Sequence, residues 1–387
     1  MKSIIVSLMV GSSLIGASNP GPALAGKPCL FIEYFPEWRC FPAILRDAEG
    51  VLHCGGNRLN LGGATPAAPA AGAISATSVH CLGGAGRQYH FAYRDPDGGI
   101  QDLYYLRQGE KDQWHAQQLN AGGRTQAPRA AGDPAGLCLD QAYRVVYRDR
   151  DGAIQDLTDG AGWGFATLNG GAATAAPLAA GDPVQVRVRG QRHVLYRDRD
   201  GGIQDLCFQG GWQARRLNRG GLTDAPAAAG EPAAMEDRGI WHVLYRDRDG
   251  GLQDLQNDAG WRALVLNDGG ATAALAAAGD PVAAANPAGG GHVAYRDRDG
   301  GLQDLWFDGS WHVQQLNLGG RTPAPPAASD LALLVAPSGW EYLAYVDGGG
   351  AGQMLIHPPR DGWTATPLNA TTPPPAKFTP GVLSPQR

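Results

Sequence analysis

What the chain has little of narrows its class first. Charged residues make up 18% of it and the formal net charge is −5. No basic footprint for nucleic acid is present. Low charge, with 43% hydrophobic residues, also separates it from disordered chains and supplies enough apolar surface for a core. Beyond the N-terminal segment no apolar run reaches the length of a membrane span. A 3.6-residue hydrophobic period is missing, which excludes helical solenoids. G-x-S-x-G, H-E-x-x-H and the P-loop are all absent, so none of the familiar hydrolase, metalloprotease or nucleotide-binding motifs applies. The 6 cysteines include no C-x-x-C pair, which argues against a thiolate metal site.

What the chain has in abundance is glycine and proline, 57 and 28 of its 387 residues, many at regular spacing. At its start, Lys2, the apolar stretch Ile4 to Ala17 and the small-x-small site Ala23-Leu24-Ala25 read as a signal peptide over residues 1–25. The expectation is a secreted protein, extracellular or periplasmic. Export permits disulfides. Cys29, Cys40, Cys54 and Cys81 crowd the mature N-terminus, and two bridges are expected among them, with Cys138 and Cys207 standing apart. Residues 370–387 form a Pro-rich tail without periodicity, expected to be mobile.

Between these ends, over residues 26–369, the chain repeats itself. The phrase His193-Val-Leu-Tyr-Arg-Asp-Arg-Asp-Gly-Gly-Ile-Gln-Asp205-Leu206 recurs with changes. Anchored on Leu45, Tyr93, Tyr147, Tyr196, Tyr245, Tyr295 and Tyr345, the copies are 48, 54, 49, 49, 50 and 50 residues apart. Seven units near the periods of propeller repeats result. The fourth shows the internal plan. Val184, Val186 and Val188 alternate with polar residues as in a half-buried strand. His193 to Arg197 and Ile203 to Phe208 flank Asp198-Arg-Asp-Gly-Gly202, which has hairpin-turn chemistry. Trp212 to Asn218 form a fourth strand, and an Ala/Pro-rich segment crosses to the next unit. The chain is therefore read as all-β, a seven-bladed β-propeller of four-stranded antiparallel blades. The segments Cys29–Trp38 and Leu331–Ala336 can give the end units inner strands of their own, so no strand need be borrowed across the ring seam.

Comparing units separates scaffold from candidate site. The Leu-Asn pair (Asn60, Asn120, Asn169, Asn218, Asn267, Asn317, Asn369) reads as a turn device. The Arg after the anchor reads as a salt bridge between neighbouring hairpins. The Asp-x-Asp-Gly-Gly run, weighed as a calcium site, is shorter than an EF-hand loop and lacks its terminal Glu; turn chemistry is preferred and no metal is assigned. Five units carry a basic or imidazole residue, an Asp and a Trp. The sets are His90, Asp102, Trp114; Arg144, Asp156, Trp163; His193, Asp205, Trp212; His242, Asp254, Trp261; and His292, Asp304, Trp311. Strand alternation places the first residue and the Asp on neighbouring strands of one hairpin. Such a pair suits sugar hydroxyls, which both donate and accept, and an indole covers the apolar face of a sugar ring. Packing of the Trp between blades is the competing reading. The two end units are degenerate and read as closure units. Acidic residues repeat evenly instead of pairing at one centre, which disfavours a glycosidase.

The string His-Val-x-Tyr-Arg-x-x-Asp-Gly-x-Ile-x-Asp-Leu-x-x-x-Gly-x-Trp, followed by Ala-Pro-x-Ala-Ala-Gly-Asp-Pro, resembles the repeat of PLL-like seven-bladed bacterial lectins. More distantly it is similar to six-bladed fungal fucose-specific lectins. The resemblance covers about residues 40–369. It implies binding of fucose-type or O-methylated sugars in pockets between blades. In the fungal relatives an Arg and a Glu twelve residues apart hold the sugar; the matching positions here are His193 and Asp205 and their equivalents. The expectation is a lectin with up to five pockets, glycans or glycoconjugates as partners, no cofactor, no catalytic residue and oligomerisation left open. A protein-interaction scaffold and a propeller lyase or glycosidase are the alternatives.

Overall fold

The computed structural model describes residues 29–30, 43–54, 57–79, 87–107, 113–140, 142–160, 162–286, 290–336, 338–359 and 361–368. The expected signal peptide, the Pro-rich tail, Cys40, Cys81 and Asn369 lie outside them. Seven four-stranded antiparallel sheets form, each from strands consecutive in the chain. The innermost strands pack against one another in chain order, and Ala332–Val335 of the seventh blade returns to Cys29–Leu30 of the first. The ring closes between blades, without an exchanged strand. Among the described residues there is no helix.

Each element follows from the repeat. In the fourth blade the strands are Val184–Val188, Gln191–Arg197, Ile203–Phe208 and Trp212–Arg216. The central hairpin turns on Asp198. Its Oδ1 accepts from the Asp200 and Gly202 N–H groups at 2.9 and 2.7 Å, and its Oδ2 accepts from Gln204 Nε2 at 2.7 Å. Asp47, Asp95, Asp149, Asp247, Asp297 and Asp347 repeat this pattern. The carboxylate oxygens that a cation would need are thus engaged in forming the turn.

The Leu-Asn pair proves to be a clamp. Asn218 is fully buried. Its Oδ1 accepts from Ile203 N–H at 2.7 Å, and its amide donates to the carbonyls of Gly201 at 3.1 Å and Pro226 at 2.9 Å. The next blade's Tyr245 hydroxyl donates to the same Pro226 carbonyl at 2.8 Å, so this side chain ties a hairpin, a linker and a neighbouring blade together. The left-handed residue is the following one, Arg219 at φ 51°, not the Asn.

In four blades the Arg after the anchor pairs with the acid of the linker entering the next blade. Arg94–Asp133, Arg148–Asp182, Arg197–Glu231 and Arg246–Asp280 lie at 3.6, 3.3, 3.9 and 3.4 Å. These acids also join one linker to the next: Asp133 N–H donates to Asp182 at 2.9 Å and Glu231 N–H to Asp280 at 3.0 Å. A Cβ on Gly132 or Gly230 would overlap the neighbouring linker's carboxylate, which explains the glycine in Ala-Gly-Asp-Pro.

The core lies between blades. Leu195, Ile203 and Leu217 of the fourth blade pack with Trp241, Val243, Tyr245 and Leu255 of the fifth. Cys54 and Cys138 are disulfide-bonded and Cys207 is a free, buried thiol. Cys138 is thus bridged, whereas the expectation placed the two bridges among the first four cysteines.

Candidate functional site

Strand register decides where the candidate residues meet. In the fourth blade His193 is opposite Cys207 and Leu195 is opposite Asp205, so His193 and Asp205 share a face as diagonal neighbours. Trp212 is opposite Phe208, an odd step from Asp205, and so points to the other face. The structure brings the basic–acidic pairs together but does not add the Trp of the same unit. Trp163, Trp212, Trp261 and Trp311 lie across the preceding cleft instead, beside the pair of the blade before, while Trp114 packs towards the first blade, which lacks such a set. The five sets read from the sequence are therefore recombined across blades.

The pairs themselves are tight. His90–Asp102, His193–Asp205, His242–Asp254 and His292–Asp304 lie at 3.0, 2.8, 3.0 and 3.2 Å through Nδ1, while Arg144 stands 3.9 Å from Asp156. The acids are buried, and most take a second donor. Gln117 donates to Asp102 at 2.9 Å, Arg215 to Asp205 at 2.7 Å, Gln256 to Asp254 at 2.6 Å and Gln314 to Asp304 at 2.7 Å.

A residue from the next blade then covers each pair. It is the one just before that blade's basic position, which the sequence comparison passed over. Tyr143 stacks on His90 with centroids 4.2 Å apart, and Trp241 lies 4.4 Å from His193. Arg192 grips Asp156 with two hydrogen bonds of 2.7 Å. Glu341 accepts from His292 Nε2 at 2.9 Å and from His357 Nδ1 at 2.9 Å. At the fifth blade the covering residue is Gly291, and Met235 occupies the space its side chain would take. There His242 Nε2 is buried without a hydrogen-bond partner. Varied residues at one position of a constant frame were the available signal.

Electrostatics follow from these partners. Burial alone would lower the His292 pKa, but hydrogen bonds to Asp304 and Glu341 hold it up at about 10. Cys207 Sγ lies 3.7 Å from His193 Nε2. Burial pushes this thiol's pKa up and Asp205 pushes the same way, so it stays protonated.

The indoles mark the open side of the clefts. Trp114 is buried at the first interface, against Phe91 and Tyr105. Trp163, Trp212, Trp261 and Trp311 are half-buried. Trp163 meets Tyr143 edge-on at 6.2 Å, and Trp311 meets His242 of the previous blade at 5.8 Å. Trp363, missed in the sequence because of a longer turn before it, packs at the sixth interface; the seventh unit has thus kept its indole. Two repeat-related grooves of about 400 Å³ open beside these rings. One is lined by Thr174, Gln204, Trp212, Arg215 and Arg216. The other is lined by Thr223, Asp224, Gln253, Trp261, Leu264 and Val265. Each pairs an indole with an amide and a hydroxyl, a lining that suits a small amphipathic ligand.

No family model matches the chain, and no curated protein does. Among solved structures it is similar to the BP39L lectin from Burkholderia pseudomallei, at 15% identity and a TM-score of 0.63, over 88% of this chain and 98% of that one. It is also similar to Aleuria aurantia lectin bound to α-methyl-L-fucoside, at 15% identity and TM-score 0.50, over 78% and 96% of the two chains. AofleA from Arthrobotrys oligospora matches at 13% identity and TM-score 0.50, over 76% and 86%. At these identities the likeness is one of fold, and it agrees with the propeller resemblance read from the repeat.

Proposed function

We propose that this propeller is a secreted, non-catalytic carbohydrate-binding protein that holds sugars in the grooves between blades. The observation that carries the reading is the pair of repeat-related grooves, each with a half-buried indole beside an amide and a threonine. An indole face covers the C–H side of a pyranose, and the Gln and Thr groups serve its hydroxyls. Repetition of the groove matches binding better than catalysis, because a reaction centre is unique. The basic–acidic pairs act behind the grooves. Their hydrogen-bonding capacity is largely used within the protein, so they set the cleft's shape and charge. The groove beside Trp261 adds Ala263, Leu264 and Val265, an apolar wall suited to the methyl group of a 6-deoxy or O-methylated sugar. The fold likeness to propeller lectins supports this reading. A glycan array probed with the mature chain tests it: retention of fucosylated or O-methylated glycans is expected, and an array with no retained glycan refutes it.

A further inference from the structure

The cleft between the third and fourth blades differs from its four counterparts in charge. There the imidazole is replaced by Arg144, and the residue that covers the pair is a second guanidinium, Arg192. Asp156 is already neutralised by the bidentate Arg192 contact at 2.7 Å. Arg144 is left with one hydrogen bond, to Thr158 Oγ1 at 3.0 Å. Its Nε is buried without a partner, while about a quarter of the side chain reaches solvent (26% exposed).

A third cation faces the same cleft. Arg187 is directly opposite Arg192 across the two inner strands of the fourth blade and is exposed. Facing like charges repel, and among the described residues the acid in contact with this pair is Asp156, through Arg192. Asp140, on the preceding turn, is exposed and acts on Arg144 more weakly than Arg192 and Asp156 do. The same blade face continues from Arg192 to Trp212, whose ring lies 5.3 Å from the Arg192 guanidinium. Arg216 lines the adjoining groove and is paired with Asp198 at 2.9 Å. A surplus of positive charge beside an indole asks for a ligand with a sugar face and an anionic group.

We propose that this one cleft takes an acidic saccharide bearing a carboxylate, of the uronic acid class, with Arg144 and Arg187 holding the carboxylate and Trp212 the ring. The proposal rests on the carbohydrate-binding reading and assigns a different ligand class to one of its sites. Isothermal titration of the mature chain with methyl α-galacturonide and methyl α-galactoside, at low and high salt, tests it. The galacturonide should bind at least about tenfold more tightly at low salt, and the difference should shrink as salt screens the arginines. Arg144→Gln and Arg187→Gln should each remove most of that preference; Arg187 is exposed, so its variant folds. Equal affinity for the two glycosides, or a preference untouched by Arg187→Gln, overturns the proposal. Titration with α-methyl-L-fucoside separates the two levels. Binding of fucoside without any galacturonide preference rejects only the acidic site. No binding of any of the three glycosides rejects the acidic site, and together with an array that retains no glycan it rejects both.

Discussion

Replacing Asn218 by Ala isolates the clamp that the repeat uses at the end of the first six outer strands. The substitution removes the acceptor that serves Ile203 N–H at 2.7 Å and the amide that donates to Gly201 and Pro226. The two carbonyls keep other donors, Ala228 N–H at 2.8 Å and the Tyr245 hydroxyl at 2.8 Å. The Ile203 N–H is left buried and unpaired, which costs about 1–3 kcal/mol, and two neutral hydrogen bonds are lost at about 0.5–1.5 kcal/mol each. The sum is about 2–6 kcal/mol, a large share of a domain's stability. Urea unfolding followed by tryptophan fluorescence measures it. Asn218→Asp should be no better, since a carboxylate oxygen would then face the two carbonyls. Because Asn218 is fully buried and lines neither groove, sugar binding by the folded variant should match the parent. A loss of stability below about 0.5 kcal/mol would refute the clamp.

Three further outcomes follow from the charges and the indoles. Glu231 sits in the linker ring with its pKa raised to about 8 by burial, Asp182 and Asp280, against the pull of Arg197. Its ionisation opposes folding, so stability falls as pH rises from about 4.5 towards 8, and Glu231→Gln should raise the Tm at pH 8 and flatten that slope. His292 has its folded pKa raised from 6.5 to about 10. Its contribution is fully present below pH 6.5 and is lost as pH rises through 10, so the parent's Tm should fall by several degrees between neutral pH and pH 10, while His292→Gln removes that component. Trp261→Ala should weaken fucoside binding at its own groove by about tenfold or more and lower the titration stoichiometry, the loss expected from removing a stacked aromatic contact, with a Tm measurement to register any packing defect.

The ring was legible because period and turn chemistry are local. Alternating Val184, Val186 and Val188, the Asp-x-Asp-Gly-Gly turns and the Ala/Pro crossings each encode one short element, and repetition supplies the architecture. The pairing of His193 with Asp205 was legible for the same reason, since both lie on one hairpin. Which blade supplies the indole was not read correctly, although the information was present: the register places Trp212 opposite Phe208, on the face away from Asp205. The covering residues Tyr143, Arg192, Trp241, Gly291 and Glu341 act across blades, about fifty positions from what they cover, and only their variation at a fixed repeat position hinted at it. Trp363 was hidden by a longer turn. The partner of Cys138 depends on loop geometry that spacing does not encode.

The central claim is that the indole-lined grooves between blades bind sugar. Titration of α-methyl-L-fucoside into the mature chain and into a Trp212→Ala, Trp261→Ala double variant of matched Tm tests it most directly. Saturable binding that is lost in the double variant is the expected result. Binding of equal strength in both proteins, or fucoside and every arrayed glycan failing to bind the parent, would contradict it.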